Sequence, residues 1–183
     1  MANTKVICIS GKAGHGKDMA GKFIKECMES YGKIVVIAHY ADLVKYICKT
    51  FFHWDGVKDD YGRSLLQKVG TEIVRAENPN YWVDFLISIL SMFGGEWDYM
   101  IIPDWRYPNE AERFLEVGVE TTRIRVVRPD YESSLTPEQQ SHSSETVLDS
   151  YDKFDYTISA TDQMQLLMKC AEVVTSLLKG ESK

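Results

Sequence analysis

Residues 5–18, KVICISGKAGHGKD, decide the architecture. Val6-Ile7-Cys8-Ile9 is an apolar run of strand length, and the glycines at 11, 14 and 16 interrupt it before a helical pattern starts at Lys17. Gly11, Gly16 and Lys17 satisfy the spacing GxxxxGK, in the strand, loop and helix context that this motif requires. Small residues let successive backbone N–H groups converge on one anion, the helix N-terminus adds positive potential, and the lysine reaches the outermost phosphates. Gly11, Lys12, Ala13, Gly14, His15, Gly16, Lys17, Asp18 and Met19 are therefore expected to form a phosphate cradle, with His15 acting only through its backbone.

The residue after the lysine is normally Ser or Thr, whose hydroxyl binds Mg²⁺, and here it is Asp18. A carboxylate holds Mg²⁺ directly or through water, and it is also favoured at a helix N-terminus by the dipole alone, so both readings stand. Asp104 closes an expected strand over 99–103, where such a fold places an acid near the metal, and Arg106 follows at once.

Outward from the loop, apolar runs predict further strands over 33–39, 119–128 and 156–160. Helices are predicted over 17–31, 41–52, 62–76, 81–93 and 108–117, the last opened by Pro108. A final helix follows Thr161 as N-cap, with Leu166, Leu167, Cys170, Val173, Val174 and Leu177 as its core face. Residues 129–144 lack an apolar period and read as a surface loop. Alternating strands and helices imply an α/β fold: a five-stranded parallel sheet with helices on both faces and its site beyond the strand C-terminal ends. One domain over 1–183 is expected, with a core of about 1–40 and 96–183, a helical region at about 41–95, and a lid-like loop at about 129–144.

The formal charge of −6 argues against a protein that coats a nucleic-acid polymer. Local placement says more, since all seven arginines lie between Arg63 and Arg128 while no lysine falls between Lys68 and Lys153. The four cysteines show neither disulfide nor zinc spacing. The start is too short for a signal peptide and no apolar run reaches bilayer length, so a cytoplasmic location without membrane contact is expected.

GKAGHGKD, AHYADLVK, RSLLQKVGTEIVR with Tyr81-Trp82-Val83, IIPDWRYPNE, IRVVRP and HSSE with Leu148-Asp149 follow one another along nearly the whole chain. This series resembles that of phage-type deoxynucleoside monophosphate kinases, whose pattern includes an Asp after the loop lysine. A weaker resemblance, through GKD and SExxLD, leads to animal-type phosphomevalonate kinases. The first resemblance implies a P-loop nucleoside monophosphate kinase fold with a helical acceptor-binding insertion and a short lid. It implies transfer of the ATP γ-phosphoryl group to a (deoxy)nucleoside 5′-monophosphate, with ATP and Mg²⁺ as cofactors and small nucleotides as partners.

Carried over by residue, it implies that the loop from Gly11 to Asp18 holds ATP and Mg²⁺, with Asp18 and Asp104 as metal candidates. Arg63, Gln67, Thr71, Glu72 and Arg75 would lie in the acceptor region, Asp104 and Arg106 between donor and acceptor, and Arg128 near the phosphates or the donor base. The chemistry agrees, since an ionised acceptor phosphate needs no base; it needs its repulsion from ATP cancelled, which bidentate arginines do. Lys17, Asp104, Arg106 and Arg128 are thus the catalytic candidates. Positions 63, 67, 71 and 75 step by four, which puts them on one helix face. Trp82 either walls a nucleobase or anchors the core.

The 129–144 loop contains no arginine, which shifts a lid arginine's duty to Arg106 or Arg128. His142, Ser144 and Glu145 suit a hinge network or substrate contact equally. A kinase of another small phosphorylated acceptor, of phosphomevalonate or dephospho-coenzyme A type, and a non-catalytic nucleotide-binding module remain alternatives. The preferred base, the sugar and whether the chain forms a homodimer stay open.

Overall fold

The computed structural model describes residues 4–181. β1 (Lys5–Ser10) is the central strand of a wholly parallel sheet completed by β2 (Val35–Ile37), β3 (Tyr99–Ile102), β4 (Thr121–Val127) and β5 (Tyr156–Ser159), in the order β2–β3–β1–β4–β5. Successive side chains of a strand point to opposite faces, so Val6 and Cys8 join one apolar cluster while Ile7 and Ile9 join the other. A strand apolar on both faces needs cover on both.

α1 (Lys17–Ser30) and α8 (Gln163–Glu181) cover the Ile7 and Ile9 side through Ile24, Met28, Cys170 and Val174. The Val6 and Cys8 cluster is filled from α2 (Tyr40–Phe52), α4 (Tyr81–Phe93) and α5 (Pro108–Glu116) by Val44, Cys48, Leu86 and Phe114. The chain leaves β1 toward β2 and β3 on one side and reaches β4 and β5 on the other. This reversal of strand order opens a crevice at the C-terminal end of β1, where the glycine loop lies.

Several boundaries differ from expectation for local reasons. The second strand keeps only its middle three residues. The helix expected over 62–76 begins earlier as α3 (Asp60–Gln67), because Asp59 accepts a hydrogen bond from Gly62 N–H as N-cap, and from Lys68 to Arg75 it widens into a π-helix. The loop at 129–144 contains α6 (Pro137–Ser141) and leads into α7 (Ser143–Thr146). Thr136 and Gln139 form a capping box around Pro137, which nucleates one turn without any apolar stripe. Asp162, not Thr161, caps α8 through Gln165 N–H, and Leu167 is 38% exposed beside buried Leu166 and Cys170. All four cysteines are free, and no helix among the described residues is long and apolar enough to cross a membrane.

β3 ends at Ile102, one residue before expectation, and Pro103 and Asp104 turn the chain. Trp105 is fully buried there; its indole N–H donates to Tyr107 O at 2.7 Å, and its ring meets Tyr151 and Phe154 edge-on. The flanking residues, Asp104 and Arg106, both line the cavity described below. Trp105→Ala is expected to cost about 3–5 kcal/mol in urea unfolding, as for other buried aromatics, and to lower activity through Arg106. Unfolding within 1 kcal/mol of the parent would rule out this anchoring role.

Candidate active site

The glycine loop is shaped by sterics before it is shaped by charge. Gly14 and Gly16 have φ of 78° and 89°, a left-handed region that disfavours side chains, and a Cβ on Gly14 would lie 2.4 Å from the Tyr131 ring. Gly16 precedes α1 and brings no side chain to cap it, which leaves the first N–H groups of the helix open to an anion. Lys17 is only 8% exposed, and its Nζ donates to Lys12 O at 3.0 Å. Burial, and then the Arg106 charge, lower its pKa from 10.5 to about 8.

Two cavities flank the loop, and its residues divide between them. The larger, about 270 Å³, is lined by Ala13, Asp104 and Arg106 from the core side and by Arg63, Gln67, Thr71, Arg75 and Trp82 from the helical side. The smaller, about 170 Å³, is lined by Gly14, His15, Gly16, Met19, Arg128 and the first turn of α8. The expected acceptor set thus converges, except for Glu72, which lines neither cavity. Arg128 belongs to the second cavity, with its guanidinium 4.8 Å from the centre of the Tyr131 ring and its backbone N–H donating to His15 Nδ1. The His15 ring therefore has a structural bond beyond its backbone role. Trp82 is 3% exposed, donates Nε1–H to Gly70 O, and forms both core and cavity wall.

The convergence of positions 63, 67, 71 and 75 has a cause that a step of four alone does not supply. In an α-helix four residues advance ~400°, so each step drifts ~40° and Arg75 would end ~120° from Arg63. The π-helix from Lys68 to Arg75 holds more residues per turn, so four residues fall ~30° short of a full turn and the drift reverses. All four residues consequently face one cavity.

Alternating charges run from the loop to this cavity. Ala13 N–H donates to Glu145 Oε2 at 2.9 Å, and Arg106 Nη1 donates to Glu145 Oε1 and, at 3.1 Å, to Ser144 O. The Arg106 backbone N–H donates at 2.7 Å to Oε2 of Glu110, whose Oε1 accepts from Arg75 Nη2. Arg75 lies over the Tyr107 ring at 3.9 Å, and its Nε is buried without a partner among the described residues. Burial raises the pKa of Glu110, opposed by Arg75. Burial also acts upward on Glu145, but Arg106 and the Ala13 N–H outweigh it and hold that carboxyl below its ordinary range.

Asp104 accepts from Tyr40 N–H at 3.1 Å and Ala41 N–H at 3.0 Å, at the start of α2. Burial raises its pKa against these bonds and the nearby His39 and Arg106. His39 lies 3.6 Å from Asp18 and 3.3 Å from Asp42, and the facing Asp18 carboxylate raises the imidazole pKa while the imidazole lowers that of Asp18. No group of three His, Cys, Asp or Glu among the described residues forms a metal cage.

Of the seven arginines, only Arg63, Arg75 and Arg106 line the larger cavity. Arg113 pairs with Asp84 and Glu116, Arg123 with Asp155, and Arg125 with Asp149 and Ser10. Those pairs are structural. Sequence reasoning missed Glu110 and Tyr107, although Pro108 followed by Glu110 is a helix-start signature that announces a carboxylate turned back on the preceding N–H groups. It also missed Tyr131 over Gly14, for which no local signal exists.

A family model described as deoxynucleotide monophosphate kinase matches residues 56–170, a stretch that begins after the glycine loop. The deoxynucleotide monophosphate kinase of Enterobacteria phage T4 is 35% identical over 85 residues, which are 45% of this chain and 34% of that protein. The aligned part thus spans about a third of its curated relative. Solved structures of similar fold include a gluconokinase from Sinorhizobium meliloti 1021 (TM-score 0.53, 12% identity, 100% of this chain and 98% of that one). The Mycobacterium tuberculosis APS kinase aligns with a TM-score of 0.52 at 9% identity over 98% and 99% of the two chains. At such identities these likenesses establish the P-loop kinase fold alone.

Lys17→Met keeps the volume and removes the buried charge. It is expected to stabilise the nucleotide-free protein at pH 7 by about 1–2 kcal/mol. The folded pKa of about 8 lies below the unfolded value, so between these two the unfolded chain binds the extra proton and wild-type stability rises with pH. The advantage of the variant should therefore shrink above pH 8. Denaturation at pH 7 and pH 10 checks this, and an equal difference at both would refute it.

Proposed function

Because the chain belongs to the deoxynucleotide monophosphate kinase family, we propose that it transfers the γ-phosphoryl group of ATP, with Mg²⁺, to a deoxynucleoside 5′-monophosphate and releases the diphosphate. The observation that carries this reading is the pair of cavities on either side of the glycine loop, with Arg106 on the wall of the larger one. In this reading the loop and Lys17 hold the ATP phosphates, and the smaller cavity takes the donor base beside Arg128. The larger takes the acceptor, with its base against Trp82, Gln67 and Thr71 and its phosphate toward Arg75 and Arg106. An oxyanion there would supply the acceptor that Arg75 Nε lacks.

The acceptor phosphate is its own nucleophile, so the side chains have no proton to remove. Their task is to hold two anions in line and to offset charge on the transferring group. Arg106 suits this, since only Nη1 is bonded to protein and Nε and Nη2 have no partner among the described residues. Lys17 offers a second cation at the donor phosphates. A Mg²⁺ carried mainly by phosphate oxygens and water requires only one or two carboxylates. The exposed Asp18 and the turn residue Asp104, whose oxygens already accept two backbone N–H groups, would be the carboxylates to hold such an ion. When bound, the ion would neutralise phosphate charge.

An ADP-release assay over a panel of dNMPs and NMPs, with phosphomevalonate and dephospho-coenzyme A included, tests the proposal. Turnover of at least one deoxynucleoside monophosphate is expected, and none would sink it. Arg106→Ala and Lys17→Ala should each lower kcat at least ~100-fold, because each removes charge stabilisation from the transition state. Near-normal rates in either variant would refute its role.

A further inference from the structure

Glu145 lies on α7, outside both the glycine loop and the turn after β3 that carries Arg106, yet its two oxygens bridge the two. One accepts the Ala13 N–H of the loop and the other the Arg106 guanidinium. Its side chain is 9% exposed, so the bridge is shielded from water. The mount is stiff on both sides. The His142 ring accepts the Ser144 N–H at the start of α7, and one turn beyond Glu145 the Asp149 carboxylate holds both Lys12 of the loop and Arg125 at 2.8 Å. Arg125 in turn donates to Ser10 Oγ at the end of β1. The segment from His142 to Asp149 is thus fastened to the donor loop at two points, and Arg106 is fastened to the segment.

We propose that Glu145 is a positioning residue that sets the reach of Arg106 from the donor loop, so that its free edge spans donor and acceptor phosphates. This rests on the kinase reading above. Glu145 does not touch the reacting atoms; it acts through Arg106. Only an ionised carboxylate accepts from both neighbours at once, because an amide at the same place presents one acceptor and one donor and must lose or repel one of them. Arg106 has Nη1 tied down and, among the described residues, no partner for Nε or Nη2, which is the state of a cation aimed by one edge and waiting on the other.

The test is a double-mutant cycle in kcat with Mg-ATP and the best deoxynucleoside monophosphate of the panel. Glu145→Gln alone is expected to lower kcat roughly 10–100-fold while the KM for ATP stays within about 3-fold. Placed on Arg106→Ala, the same substitution is expected to cost less than about 3-fold, because the residue it acts through is gone. Equal losses in both backgrounds, or an unaffected Glu145→Gln enzyme, overturn the proposal. If Glu145→Gln does not fold, Glu145→Asp carries the same cycle, since it keeps the charge but falls one methylene short of bridging. A wild-type enzyme inactive on the whole panel removes the kinase reading and this proposal together, whereas an active one with additive losses removes this proposal alone.

Discussion

The burial of the Glu110 carboxylate is the constraint on which the rest of the site depends. Only 2% of the residue is exposed, and a carboxylate taken out of water costs several kcal/mol unless its lone pairs are satisfied. Here they are filled from separate parts of the chain: the N–H groups of Arg106 and Tyr107 after β3, and the Arg75 guanidinium at the end of the π-helix. The hydroxyl of Tyr40, in α2, also donates to the backbone carbonyl of Glu110 at 2.7 Å. Satisfying one buried charge therefore joins the sheet to the helical region. Removing Arg75 would leave the buried carboxylate without its one charged partner among the described residues, held by two backbone N–H groups alone.

Around that joint, cations and anions alternate, and the alternation suits a site for two polyanions. Lys17, Arg106 and Arg75 form a row of positive charge, and Glu145 and Glu110 hold the two arginines from behind. Without these carboxylates the cations would repel one another in a poorly solvated pocket. With them, each guanidinium is held in place by protein contacts alone. Burial first, and the Arg106 charge second, lower the pKa of Lys17, while Glu145, Asp18 and Asp104 raise it.

The parts of the fold that could be read from sequence are those dictated by short-range chemistry. The β1 run, the glycine loop and the start of α1 follow from apolar patterning and from sterics at Gly14 and Gly16, which are local. α4 matched its predicted bounds, with Pro79 just before it and Gly94 just after it. Other features depended on distant partners. All seven arginines fall in one stretch of sequence, but Arg113, Arg123 and Arg125 find carboxylates through helix and strand packing, which sequence distance does not reveal. The same holds for Arg128, which β4 delivers to the far side of the glycine loop.

The π-helix between Lys68 and Arg75 combines a local pattern with distant partners. A step of four from Arg63 to Arg75 is visible in the sequence, and it announces a polar face. Whether that face points one way over three steps depends on the winding, and the wound segment meets distant partners: Arg75 donates to Glu110, and Gly70 O accepts from Trp82. Steric and apolar rules act over a few residues, and they suffice to specify a parallel α/β fold with a glycine loop after its first strand. Which arginines face the cavity and which carboxylates they meet follows from packing, because a buried charge is placed by whatever partner reaches it, however far away in the chain.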